Sequence, residues 1–132
     1  MSLKGGLRSL LDELRSQHPQ DCAILQYAFG LNQLEADAYF ALVNQEATAE
    51  QLAIRLDRDR STVQRALSRL DQQGLVVRDA QSLRGTGKKG YQYVYRSISI
   101  DNTRVIIKDL VDEVTEHLNN FVKYDWCIGR AS

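Results

Sequence analysis

Thr48-Ala-Glu-Gln-Leu-Ala-Ile-Arg-Leu56, then Asp57-Arg-Asp59, then Arg60-Ser-Thr-Val-Gln-Arg-Ala-Leu-Ser-Arg-Leu-Asp-Gln-Gln-Gly74 is the stretch that decides the fold. Thr48 precedes Gln51 by three, the spacing at which a threonine hydroxyl and a glutamine amide each satisfy a free backbone N–H at a helix start. Ala49, Leu52, Ala53 and Leu56 fall at i, i+3, i+4 and i+7, so they form one apolar stripe. Asp57-Arg58-Asp59 has no apolar side chain and two good cap formers; it reads as a tight turn, with Asp59 capping the next helix. In that helix Val63, Ala66, Leu67 and Leu70 repeat the stripe, and Gly74 can supply the left-handed residue that ends it.

A hairpin follows. Leu75-Val76-Val77 is rich in strand formers, and Tyr91-Gln92-Tyr93-Val94-Tyr95-Arg96 alternates with period two. Between them lies Arg84-Gly85-Thr86-Gly87-Lys88-Lys89-Gly90, a tip with three cations and three glycines. Two short helices joined by a turn, then a strand–loop–strand with a basic tip, is the order of parts of a winged helix-turn-helix. The expected class is therefore mainly α with a β-hairpin wing. The three tyrosines are expected to pack one hairpin face against the helices.

The outer face of the second helix carries the functional expectation. Ser61, Gln64, Arg65, Ser68 and Arg69 point away from its apolar stripe, Arg58 and Arg60 stand at its entrance, and no acidic residue follows until Asp71. These side chains suit base edges and phosphates when a helix N-terminus enters a major groove. At the hairpin tip, Arg84, Thr86, Lys88 and Lys89 combine small volume with positive charge, as a contact with the DNA backbone or minor groove requires.

Charge distribution points the same way. The chain of 132 residues has zero net charge, but Arg55 to Arg96 holds ten Lys/Arg against four Asp/Glu, a net of +6. The remainder holds seven against thirteen, a net of −6. Such a chain presents one end to a polyanion and repels it from the other.

Outside the core, Leu7, Leu10, Leu11 and Leu14 mark an N-terminal helix that His18-Pro19 stops, because the residue before a proline resists helical angles. A shorter apolar run from Cys22 to Phe29 is closed by Gly30. A further helix is expected from Asn32 to about Asn44, with Leu34, Ala38, Ala41 and Leu42 inward. Beyond the hairpin, Asp101 or Ser99 can cap a long terminal helix. In it Ile107, Val111, Val114, Leu118 and Phe121 step by 4, 3, 4 and 3, a coiled-coil seam that Ile106, Leu110 and Val122 widen. Pairing with a second copy is expected, with the N-terminal leucines alongside. The organisation reads as one domain over 1–132: a helical extension at 1–30, the winged core at 31–98 and a dimerisation helix and tail at 99–132.

Composition limits the class further. With 43% apolar and 26% charged residues the chain reads as a soluble globular protein. No run approaches a membrane span and the N-terminus lacks the apolar core of a signal peptide, so a cytoplasmic location is expected. Catalysis is not expected, nor any cofactor. Gly85-Thr-Gly-Lys88 departs twice from a phosphate loop: Ser82 stands where the first glycine belongs, and Lys89 follows the lysine. Glu113 and His117 are an i, i+4 pair, but His18 is the only other histidine, too few donors for a metal site. Cys22 reads as buried filler. Cys127 leaves room for redox control only if it is an exposed thiolate, and Lys123 and Arg130 alone are near it in sequence.

Three segments together carry a family resemblance: Gly30-Leu-Asn-Gln-Leu-Glu-Ala-Asp-Ala-Tyr39, Ala47-Thr-Ala-Glu-Gln-Leu-Ala53, and Asp59-Arg-Ser-Thr-Val-Gln-Arg-Ala-Leu-Ser-Arg-Leu70 with Gly74-Leu-Val. Roughly residues 30–98 resemble the DNA-binding domain of archaeal TrmB-type regulators and, more broadly, MarR- and ArsR-like winged-helix factors. The resemblance implies a recognition helix from Arg60 to Gln73, with Ser61, Thr62, Gln64 and Arg65 nearest the bases. It implies that Arg69, Arg84, Lys88 and Lys89 meet phosphates or the minor groove. Longer TrmB-type regulators continue into a sugar-binding domain, whereas this sequence stops after one helix, so no sugar effector is carried over. The expected partners are duplex DNA and a second copy, with no membrane and the small-molecule effector left open. The expected role is transcriptional regulation, most economically repression. The alternative is a winged-helix module that binds protein within a transcription-related complex.

Overall fold

The structure, a computed structural model, describes residues 6–83 and 90–123. The chain forms two compact units, Met1–Ser99 and Ile100–Ser132. The first contains α1 (Gly6–Arg15), α2 (Asp21–Phe29), α3 (Gln33–Asn44), β1 (Ala47–Thr48), α4 (Ala49–Leu56), α5 (Arg60–Gln72), β2 (Val76–Ser82) and β3 (Tyr91–Ser97). The second is a single helix, α6 (Ile100–Lys123).

Two helices of the winged core, α3 and α4, start where their capping residues dictate. Asn32 accepts from the Glu35 N–H while Glu35 accepts from the Asn32 N–H, a complete capping box at α3. Thr48 and Gln51 make the same reciprocal pair at α4, as their spacing predicts. At the end of α5 the backbone turns left-handed at Gly74, φ 74°. There the Leu75 N–H donates to the Leu70 carbonyl and the Gly74 N–H to that of Asp71, the Schellman arrangement.

α4 closes in the same way without a glycine. Asp57 takes φ 53°, with the Arg58 N–H donating to Ala53 and the Asp57 N–H to Ile54. Aspartate tolerates this region better than most side chains. This reversal gives the helix-turn-helix its bend.

The core lies among α3, α4, α5 and the base of the hairpin. Leu52, Val63, Leu67, Leu70 and Leu75 are fully buried, so both expected stripes face inward. Tyr39, also fully buried, donates its hydroxyl to the Ile98 carbonyl at 3.0 Å, while its own carbonyl accepts from Ser97 Oγ at 2.7 Å. These two bonds fasten α3 to the end of β3. In α3, Ala38 and Leu42 are buried as expected, whereas Leu34 and Ala41 are only half-buried.

The sheet is antiparallel in the order β1-β3-β2. Ala47 and Thr48 pair with Tyr95 and Val94, so the segment leading into α4 contributes a short third strand. The tyrosine expectation needs correction. Tyr95 is buried, but Tyr93 and Tyr91 are 44% and 73% exposed, because β3 runs out beyond the reach of α5. Cys22 is also not buried filler: it is half-exposed, and its sulfur accepts from Gln33 Nε2 at 3.2 Å.

α6 is amphipathic, with Val111, Val114, Leu118, Phe121 and Val122 all more than 40% exposed. Its polar side carries a Lys108–Asp112 ion pair at 2.9 Å, whose hydrogen bond and charge hold the Lys108 pKa above its ordinary value.

Candidate nucleic-acid interface

α4, the Asp57-Arg-Asp59 turn and α5 set one polar face outward. Val63, Ala66, Leu67 and Leu70 anchor the inner side of α5, which turns most of the remaining positions outward. Arg58, Arg60, Ser61, Arg65, Ser68 and Arg69 are exposed, and Thr62 and Gln64 half-buried. The expected recognition residues therefore lie on one helix, but their hydrogen bonds divide them.

At the start of α5, Asp59 occupies the cap position, yet its carboxylate accepts no backbone N–H. It accepts instead from Thr62 Oγ1 at 2.9 Å and from Ser61 Oγ at 3.5 Å. Arg65 Nη2 in turn donates to Thr62 Oγ1 at 3.3 Å. Arg60 Nε lies 3.9 Å from Glu50, an exposed ion pair of small energetic weight that a phosphate can displace. Gln64 is more constrained: its Nε2 donates to the buried Tyr95 hydroxyl at 3.1 Å.

Arg69 points elsewhere. Its Nε lies 3.7 Å from the buried Glu35 carboxylate and its Nη2 donates to the Gly30 carbonyl at 3.4 Å. One turn of helix separates it from Arg65, and the buried acid on α3 draws it across to that helix while its side chain stays about half exposed. In this arrangement it ties α5 to α3.

The hairpin adds residues that the sequence pattern did not single out. A cleft of about 400 Å³ opens between the start of α5 and β3, lined among others by Thr48, Arg60, Gln64, Tyr91 and Tyr93. Arg78 stacks over the Tyr93 ring, 4.4 Å from its centre. Arg78 pairs in register with Tyr95, which makes Tyr93 its diagonal neighbour on the same face. That relation depends on hairpin register, which a seven-residue glycine-rich tip does not specify in advance. The expected wing residues Arg84, Thr86, Lys88 and Lys89 lie outside the described residues, as does Cys127.

The expected interface residues fall on two helices. Leu7, Leu11 and Leu14 of α1 are exposed and Leu10 is half-buried; on α6, Ile107 is half-buried and Val111, Val114, Leu118 and Phe121 are exposed. Among the described residues no group of three or more His, Cys, Asp and Glu side chains is placed to hold a metal ion.

Residues 25–101, which contain the whole helix-turn-helix and hairpin, match the family model for the sugar-specific transcriptional regulator TrmB. The chain belongs to the TrmB family. Two uncharacterized proteins of Methanocaldococcus jannaschii are relatives of this TrmB-family chain. MJ1082 is 34% identical over 102 residues, spanning 76% of this chain and 82% of its own. MJ1503 is 32% identical over 102 residues, spanning 76% and 75%. A solved structure described as a possible transcriptional regulator from Methanosarcina mazei Go1 matches with a TM-score of 0.66 and 26% identity, covering 76% of this chain and 84% of that one. This TrmB-family protein is a DNA-binding transcriptional regulator with a winged helix-turn-helix, and not an enzyme. Among the described residues, no helix is long and apolar enough to cross a membrane.

Proposed function

We propose that the protein binds duplex DNA as a homodimer, lays α5 in the major groove and the wing on the backbone or minor groove, and represses transcription by occupying a promoter. The observation that carries this reading is the outer face of α5. From Arg60 to Leu70 it offers arginines, hydroxyls and an amide with no acidic side chain, on a helix whose other side is locked into the core. A two-fold pair places two such helices about 34–36 Å apart, one helical turn of DNA. The mechanism is steric and electrostatic. Arg58, Arg60, Ser61, Thr62, Gln64, Arg65 and Ser68 form the major-groove set, and Arg84, Thr86, Lys88 and Lys89 the wing set. Arg69, engaged with Glu35, serves α5 placement first.

The seam of α6 supplies one self-association surface in this reading, and the leucines of α1 supply another. The sugar in the family's description is not assigned to this chain as an effector. The site of action is the cytoplasm.

Two substitutions separate reading from holding. Arg65→Ala is expected to cost roughly 1–3 kcal/mol on a selected operator and to relax base preference, with little change on random duplex. Lys88→Ala is expected to weaken all sequences alike and to lower the salt slope by about two, one for each protomer's wing. Fluorescence anisotropy on both duplexes at several salt concentrations measures each quantity. Equal losses on operator and random DNA for Arg65→Ala contradict the division of labour.

A further inference from the structure

The geometry assigns Asp59 and Thr62 a role other than capping: together they hold Arg65 in its reading position and so set the protein's discrimination between operator and random DNA. This rests on the reading of α5 as the recognition helix. Asp59, Thr62 and Arg65 are spaced by three, so their side chains lie one above the next on the exposed face.

The hydrogen bonds run in one direction. A hydroxyl has a single proton, and that of Thr62 goes to Asp59 Oδ2 at 2.9 Å. The Thr62 oxygen is then left to accept, and Arg65 Nη2 donates to it at 3.3 Å. The carboxylate thus fixes the hydroxyl, and the hydroxyl fixes the guanidinium.

The arrangement engages one guanidinium nitrogen and leaves the other donors of Arg65 for a base edge, where paired bonds to guanine O6 and N7 demand a defined angle. An untethered exposed arginine must give up rotamer freedom when it binds; a tethered one has given it up beforehand. The same carboxylate places a negative charge beside the helix start, which opposes indiscriminate phosphate binding there. Both effects favour the correct sequence over the average one. Asp59 also forgoes backbone capping, since its carboxylate bonds to hydroxyls and to no N–H.

The experiment uses the full chain, the duplex that wild-type protein enriches from a randomised library, and a random duplex of equal length. Asp59→Ala is expected to lower affinity for the enriched duplex about fivefold and leave random-duplex affinity equal or higher, a coupling of ordinary size for contacting groups. Asp59→Asn, which keeps an acceptor oxygen, is expected to restore most of the loss. In an Arg65→Ala background, Asp59→Ala is expected to cause no further loss on the enriched duplex. Thermal melting of each variant tests whether the helix start has simply frayed.

Equal losses on both duplexes, or the same loss with and without Arg65, overturn the positioning role alone. Enriched-duplex binding unchanged by Arg65→Ala overturns the reading of α5, and the positioning role with it.

Discussion

Leu118→Asp, alone or with Val114→Asp, is expected to leave the winged core folded, convert the protein to a monomer, and reduce operator affinity by about 10²–10⁴-fold. The size follows from avidity: a dimer holding one half-site presents its second reading head at high local concentration, and a monomer forfeits that gain. Val111, Val114, Leu118 and Phe121 are 56%, 56%, 43% and 49% exposed in the single chain, a contiguous apolar strip on a helix otherwise rich in charge. Against a twin, each of these side chains leaves water, and full burial of one contributes about 1.5–3 kcal/mol. An aspartate in that seam brings an unpaired charge into an apolar interface. Because the position is exposed in the single chain, the substitution spares the fold. Light scattering gives the mass and anisotropy the affinity. A monomeric wild-type protein at micromolar concentration, or a dimeric Leu118→Asp variant, contradicts the assignment of the seam.

Tyr39→Ala is expected to remove about 3–5 kcal/mol of stability, the range for deleting a buried aromatic ring, in a domain whose total is of order 5–15 kcal/mol. The ring is fully buried and packs nearly perpendicular to that of Phe40, with centroids 5.3 Å apart. Its hydroxyl holds the Ile98 carbonyl, so truncation opens a cavity and also loses the tie between α3 and the end of β3. Tyr39→Phe removes only the hydroxyl and is expected to cost about 1 kcal/mol. Urea unfolding of the two variants separates the ring from the hydrogen bond. A loss below about 1 kcal/mol for Tyr39→Ala contradicts the placement of this residue at the centre of the core.

Much of this fold is visible in the sequence because its helices carry their own punctuation. The Thr48/Gln51 box, the apolar spacing through Leu70 and the stop at Gly74 are local signals, and local geometry obeys them. Tyr39 gives no such signal, since an aromatic in the middle of a helix reads alike whether it lies against a sheet or at a rim. Ala47–Thr48 is too short to declare itself a strand. Period-two alternation shows that Tyr91, Tyr93 and Tyr95 share a face, but not that the helices cover only the last of them. Asp59 sits at the expected cap position, while the direction of its carboxylate depends on Thr62 and Ser61 presenting hydroxyls to it. Arg69 looks like its neighbours in a helical projection, and only the buried Glu35 on a different helix reveals its other allegiance.

The proposed engagement of duplex DNA requires the outer face of α5 and the wing to meet its phosphates. The most direct measurement is fluorescence anisotropy of wild-type protein with random duplex DNA from about 50 to 200 mM salt. The expected result is measurable binding at low salt, with log affinity falling linearly against log salt and a loss on the order of a thousandfold across that range, as about six neutralised phosphates give. No binding near 50 mM salt, or an affinity indifferent to salt, contradicts the claim and turns the winged helix toward protein partners.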